Sequence, residues 1–437
     1  MSLVSTGPTG SLEPIVRPGL ARRVAVDVTI VTVIVASLVS GIALMALGVP
    51  YGAPGGSILT KIHPATYLSV LAVIAWMVAV GGPGRFVGSV VIEHPSVAVF
   101  AIAVGVMLFH AVVVMKLSIS PIVDTFVLPI LMLSALTRLD ERERERLEWI
   151  MHAIMIVDIA LGIFEYLSGW RLTPMYDTDG VTVMHYDWRS SALFGHPLSN
   201  AFHIGAYLVA LACGATPRMH PILRLVLMGS AALSLVGFGG RTAMGLAYVM
   251  VAALAAIAAL RTLLGGRFRL THAAIGVGLV TIGAIGEVLF VDGGGADRFI
   301  DLLNEDHGSA QTRVSMFYVF GNLSWDQFLL WPDPSLIEQA QRDFALRIGI
   351  ESSEVGLVAA YGLIPMLLFG VAISMFMREL VRITSPATWW TIAYFVVVMS
   401  ASNGVAAKST NFAIHIGMIF AIMPRPATLA AKTRLTG

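Results

Sequence analysis

Apolar runs long enough to cross a bilayer recur from one end of the chain to the other, and no other feature limits its fold so tightly. A hydrocarbon core of about 30 Å takes roughly 20 helical residues. Runs of this kind lie at 24–48, 66–82, 96–116, 118–137, 148–169, 197–215, 222–239, 242–261, 273–291, 353–376, 388–404 and 409–424. A segment in lipid must satisfy its own backbone polar groups, which points to helices. Composition agrees: 57% of the residues are hydrophobic and 13% charged, where soluble domains carry about a quarter charged. The expected fold is an all-α integral membrane protein with about 12 transmembrane helices and a large external loop between helices 9 and 10. Two boundaries are thin, one near Lys116, Ser118 and Pro121 and one at Gly239-Gly240-Arg241, so eleven spans is the alternative.

Basic residues in short loops prefer the cytoplasm. With the N-terminus inside, every inner connection is basic, from Arg22 and Arg23 through Arg138–Arg146, Arg218, Arg224 and Arg382 to Arg425 and Arg434. The short outer turns keep only Lys61, Lys116, Arg241 and Lys408. The chain then divides into a cytoplasmic segment 1–23, helices 1–9 over 24–291, an external loop 292–352, helices 10–12 over 353–424 and a cytoplasmic tail 425–437. The run after Arg22–Arg23 reads as a start-transfer anchor. In the large loop, Arg298–Leu303 and Leu336–Ile350 are amphipathic and are expected to lie on the membrane surface. The alternating charges of 138–146 are expected to extend the fifth span as a solvated helix end.

Charged groups in a bilayer cost on the order of 2.5–3.5 kcal/mol near its centre, so those present need a reason. On the alternating topology, Asp124, Glu165, Glu287, Glu351 and Glu354 fall toward the outer side. So do Arg189, Arg241, Arg313, His185, His196 and His307, with His203 and His415 about two turns in. Asp158, near mid-membrane, and Asp27, near the inner surface, depart from the trend. Each residue alone fits interfacial snorkelling. Together they describe a water-accessible cavity open to the outside, with guanidinium groups for an anion and a carboxylate for proton transfer. A lipid phosphate fits that chemistry.

Four stretches resemble the bacterial polysaccharide polymerase and O-antigen ligase superfamily. Arg189-Ser190-Ser191-Ala192-Leu193-Phe194-Gly195-His196-Pro197 is similar to its Arg-x-x-Gly-Leu-Phe-x-x-Pro lead into a span. Phe238-Gly239-Gly240-Arg241-Thr242-Ala243 is similar to its arginine-bearing turn between two spans. Asp306–Arg313 resembles the Ser-x-x-x-Arg element late in the large loop, and Glu351-Ser352-Ser353-Glu354 with Tyr361-Gly362-Leu363-Ile364 resembles the start of the following span. The likeness runs in order from about residue 118 to 424. Ligases carry His-Asn eleven and ten residues before the Gly of Gly-Leu-Ile; here Glu351 and Ser352 stand there, which is closer to the exopolysaccharide-polymerase (Wzy-like) branch.

The resemblance implies a multi-pass protein of the bacterial inner membrane with both termini cytoplasmic and the loop periplasmic. It implies polymerisation of polyprenyl-diphosphate-linked oligosaccharide repeats into exopolysaccharide or O-antigen by metal-independent, inverting glycosyl transfer, without a cofactor. Glu351 is the expected general base and His307 a second candidate. Arg241 and Arg313 would hold the diphosphate, Arg189 the diphosphate or the acceptor sugar, and His196 belongs to the same substrate-binding set. Expected partners are the lipid-linked oligosaccharide, membrane lipids, a chain-length regulator and a flippase, with no nucleic acid. The alternatives are an O-antigen ligase and, from another class, a secondary transporter or flippase using Asp158 and Glu165 as a proton relay.

Other signals are weaker. Asp177-Thr178-Asp179 is better explained as a turn than as a metal and nucleotide-sugar site. His185, Asp187 and His196 match no standard metal spacing. Trp325, Phe328 and Trp331 are expected to anchor at the membrane interface, with a sugar-stacking surface as the other reading.

Overall fold

The computed structural model describes residues 19–52, 57–174, 189–216, 218–265, 314–344, 346 and 350–425. All regular structure among them is helical. The helices are α1 (Leu20–Leu38), α2 (Gly41–Ala46), α3 (Pro64–Ala79), α4 (Pro83–Glu93), α5 (Pro95–Val114), α6 (Ser120–Leu136), α7 (Glu141–Ser168), α8 (Pro197–Ala212), α9 (Pro221–Phe238) and α10 (Arg241–Leu264). After the loop come α11 (Trp325–Leu329), α12 (Pro334–Asp343), α13 (Ser353–Tyr361), α14 (Leu363–Ile383), α15 (Thr388–Ser400) and α16 (Asn411–Ile422). A helix meets each expected span except 273–291, which lies outside the described residues. Among the described residues five helices, α5, α7, α9, α10 and α14, are long and apolar enough to cross a membrane, and the bent pair α3–α4 is a sixth if taken as one span.

Local chemistry sets the helix ends. Proline opens α3, α4, α5, α8, α9 and α12, where its missing N–H is no loss and its fixed φ suits the first turn. His63, His196 and His220 precede three of these prolines, and each ring accepts a backbone N–H two residues on. The alternating charges do extend the fifth span: α7 begins at Glu141 behind a capping box of Asp140 and Glu143. Lys116, at φ 53°, turns the chain between α5 and α6, so the thin boundary is a real break.

Three expectations change. The first span is not one helix: α1 stops at Leu38, and Ser40 caps a separate α2. The tenth breaks at Gly362 (φ 90°), where a Cβ would sit 2.8 Å from the Leu330 carbonyl carbon, and the longer piece, α14, runs on to Ile383. The stretch from Leu336 does not turn its apolar face to lipid. Ile337 and Ala340 of α12 are buried with Met316, Val319, Val355 and Ala359 in a small second core over α13. Arg298–Leu303 lies outside the described residues.

The main core centres on α8 and α16, whose side chains are buried on nearly every face, while α5 and α10 turn most of theirs outward. Leu260, Leu263, Ile102 and Phe109 are typical of this apolar outer surface. Helices enclosed by helices and apolar helices outside them are the arrangement a bilayer selects. The charges divide between the two ends. One end gathers Arg22 with Asp140 and Glu143, Arg138 with Glu93, Arg218 with Glu141 and Glu145, and Arg382 with Glu379. The turns at 39–51, 57–63, 189–196, 237–241 and 400–410 form the other end. There Tyr51, the His63 backbone N–H and Thr66 all donate to Asp124, and Lys408 stands 3.7 Å from it.

Candidate functional site

Two carboxylates on α7 build the turn that carries Arg189. Asp158 and Glu165 are seven residues apart, two helical turns, and so face the same way. Both are buried. Glu165 accepts the backbone N–H groups of Leu172, Ser191 and Ala192 at 2.8, 2.7 and 2.9 Å. Asp158 accepts that of Leu193 at 2.9 Å. From α8, Asn200 donates to the Ser191 and His196 carbonyls and accepts from Phe194. The segment 191–194 has no helix or sheet partner among the described residues, and these side chains take the place of a backbone ladder. A relay through Asp158 and Glu165 is therefore not what the geometry favours: these acids hold a loop.

Arg241 stands on the neighbouring turn. Gly239, left-handed at φ 63°, ends α9, and α10 starts two residues later. A Cβ at Gly240 would lie 2.5 Å from that of Ala201, so the turn rests directly on the first residues of α8. The two turns are bonded to each other: Ser190 donates its N–H to the Gly237 carbonyl at 2.9 Å and its hydroxyl to the Gly162 carbonyl at 2.7 Å. Arg189 and Arg241 thus leave adjoining backbone at the same end of the bundle. Arg241 is exposed and makes no hydrogen bond or ion pair among the described residues. A cation at the first position of a helix opposes the helix dipole, so nothing in the fold favours it there. Together with the free N–H groups of the first turn it forms a positive surface for an oxyanion.

Glu351 precedes Ser352, the N-cap of α13, and is half-buried with no hydrogen bond or ion pair among the described residues. The helix start beside it is fixed: Ser353 donates to the Ser402 carbonyl and accepts from Val405, and Ser400 donates to Glu354. Those residues end or follow α15, whose Tyr394 hydroxyl lies 3.3 and 3.1 Å from the Ala201 and Ala243 carbonyls. α15 therefore links the Glu351 segment to the turns of Arg189 and Arg241, although no direct bond joins Glu351 to Arg241.

His196 caps α8 through Nδ1, which accepts from Leu198 at 3.2 Å. His203 and His415 are fully buried among Phe194, Phe202 and Phe395, and His203 meets Asn411 at 3.2 Å. Arg313, His307, His185, Glu287 and Asp177–Asp179 lie outside the described residues. No cluster of metal-ligating side chains occurs among the described residues. Asp158 and Glu165 stand out in the sequence, whereas Asn200 and Ser191 carry no local signal, because their partners lie on other elements. Comparison with family models, curated proteins and solved structures finds no match.

Proposed function

We propose that this membrane protein polymerises polyprenyl-diphosphate-linked oligosaccharide repeats by glycosyl transfer at its outer face. The observation that carries the reading is the pairing of two arginine-bearing turns, 189–197 and 237–241, through the Ser190–Gly237 bond, with Arg241 exposed and without a partner among the described residues. On this reading the arginine-rich end faces the cytoplasm of a bacterial inner membrane, and both termini lie there. A diphosphate leaving group needs cations near its oxygens and no nucleotide. Arg241 and Arg313 hold the diphosphate of the growing chain, and Arg189 the diphosphate or the acceptor sugar. Glu351, or His307 in its place, takes the proton of the acceptor hydroxyl. That oxygen attacks the anomeric carbon of the growing chain from the face opposite the diphosphate, whose C–O bond breaks with the electron pair leaving on the diphosphate. The anomeric configuration inverts.

Disruption of the gene tests the class of reaction. Accumulation of single lipid-linked repeats is the expected phenotype. Uncapped lipid A with intact polymer would instead mean a ligase, and unaltered lipid-linked intermediates would remove the reading.

A further inference from the structure

The arginine-rich end of the bundle holds a cavity of about 410 Å³ that the proposed reaction does not use. It opens among the first turns of α7, the residues after α8 and the chain following α14 and α16, and its size is within the range of small-molecule sites. Its ionisable wall is balanced: Arg144, Arg218 and Arg425 face Glu141, Glu145 and Glu148. Arg218 is committed, 2.7 Å from Glu141 and 3.0 Å from Glu145.

Arg144 forms no such close pair, although Glu148 and Glu141 are its charged neighbours. None of its nitrogens has a hydrogen-bond partner among the described residues, and Nε and Nη2 are buried without an acceptor. Its guanidinium carbon lies 4.5 Å from the centre of the Phe420 ring. Buried donors without acceptors are costly, and a guanidinium offers parallel donors to a planar pair of oxyanion oxygens. One turn along α7, buried Glu148 has Arg218 and Arg144 as its charged neighbours and forms no close ion pair among the described residues. A wall of balanced charge gives a bare anion no net attraction. A ligand with an oxyanion for Arg144 and an ammonium for Glu148 keeps that balance while giving the buried Arg144 donors their acceptor, and Cys213, Ala215 and Met423 supply apolar wall for the carbons between.

We propose that this cavity binds a zwitterionic phosphoethanolamine group, its phosphate on Arg144 and its ammonium on Glu148. The group comes either from a membrane lipid headgroup or from a soluble phosphomonoester. Cys213, the chain's single cysteine, lines the same wall, so its alkylation rate reports occupancy. The full chain in phosphatidylcholine nanodiscs is treated with a maleimide, with and without O-phosphoethanolamine. In parallel it is treated in nanodiscs containing phosphatidylethanolamine or phosphatidylglycerol.

The expected result is a several-fold slower reaction with O-phosphoethanolamine, marking a soluble ligand, or with phosphatidylethanolamine alone, marking a lipid. Arg144→Gln and Glu148→Gln lose the protection, and Arg142→Gln, at an exposed neighbour, keeps it. If Arg144→Gln does not assemble, Glu148→Gln decides. No protection in either arm overturns the proposal. So does protection that survives both substitutions, or equal protection by inorganic phosphate or phosphatidylglycerol.

Discussion

The N–H of Ser190 reaches the carbonyl of Gly237 across 2.9 Å, joining backbone that is 47 residues apart in sequence and ending one residue from Arg189 and four from Arg241. Among the described residues Arg241 has no carboxylate partner. The two turns are held by buried hydrogen bonds and by glycine contacts that leave little freedom to move. A site for a charged leaving group needs this rigidity, because dipoles and charges fixed in advance need no reorganisation during reaction.

The Glu165 carboxylate is the chief support of the Arg189 turn. Hydrogen bonds to a charged acceptor are worth about 1.5–3 kcal/mol, and Glu165→Gln both removes that charge and presents an amide NH2 to backbone donors. Its unfolding midpoint in detergent should fall by the equivalent of about 2 kcal/mol, while Glu338→Gln, at an exposed position, should change little. Equal midpoints for wild type and Glu165→Gln would remove the structural role assigned to this acid.

Gly195 and Gly214 separate backbone strain from steric overlap. Both are left-handed, at φ 72° and 82°. A methyl at Gly214 meets open space, whereas one at Gly195 overlaps the Ser40 hydroxyl. Gly214→Ala should cost only the conformational term, about 1–2 kcal/mol. Gly195→Ala should add about 1–3 kcal/mol of overpacking and also loosen the Arg189 turn. Similar losses in denaturant titrations of the two variants would show that Ser40 does not constrain Gly195.

Lys408 gives stability a pH dependence of known sign. Burial pushes its ammonium down from the usual 10.5 to about 8, with Asp124 opposing the shift and Lys61 adding to it. Between about pH 8 and 10.5 the unfolded chain therefore holds the proton that the folded chain has released, and stability from this group rises with pH across that window. Below pH 8 both states are protonated and the slope vanishes. Unfolding midpoints measured from pH 7 to 10.5 should show the rise in wild type and a flatter profile in Lys408→Met. Parallel profiles would contradict it.

Helix positions were legible because apolar length and His-Pro or Gly signals mark them directly, as at His196-Pro197 and Gly239-Gly240. The gathering of Arg22, Arg138, Arg218 and Arg382 at one end followed from loop charge alone. What could not be read were relations set by packing. The Asp124 cluster joins Tyr51, His63, Thr66 and Lys408, which no local spacing connects. Asp158 and Glu165 looked like a relay because sequence shows two acids on one helix face but not the backbone donors opposite them. Likewise α12 looked membrane-bound, since an amphipathic pattern does not say whether lipid or protein covers its apolar side.

The central claim is that Arg241 and Glu351 act on one substrate at the outer face, and the polymer ladder made by cells carrying Arg241→Lys or Glu351→Gln tests it most directly. Lysine keeps the charge but loses the planar fork of donors, and glutamine keeps the shape but cannot take a proton. The account predicts that each variant, present in the membrane at wild-type level, accumulates single lipid-linked repeats with little or no polymer. Near-normal chain length in both would contradict it.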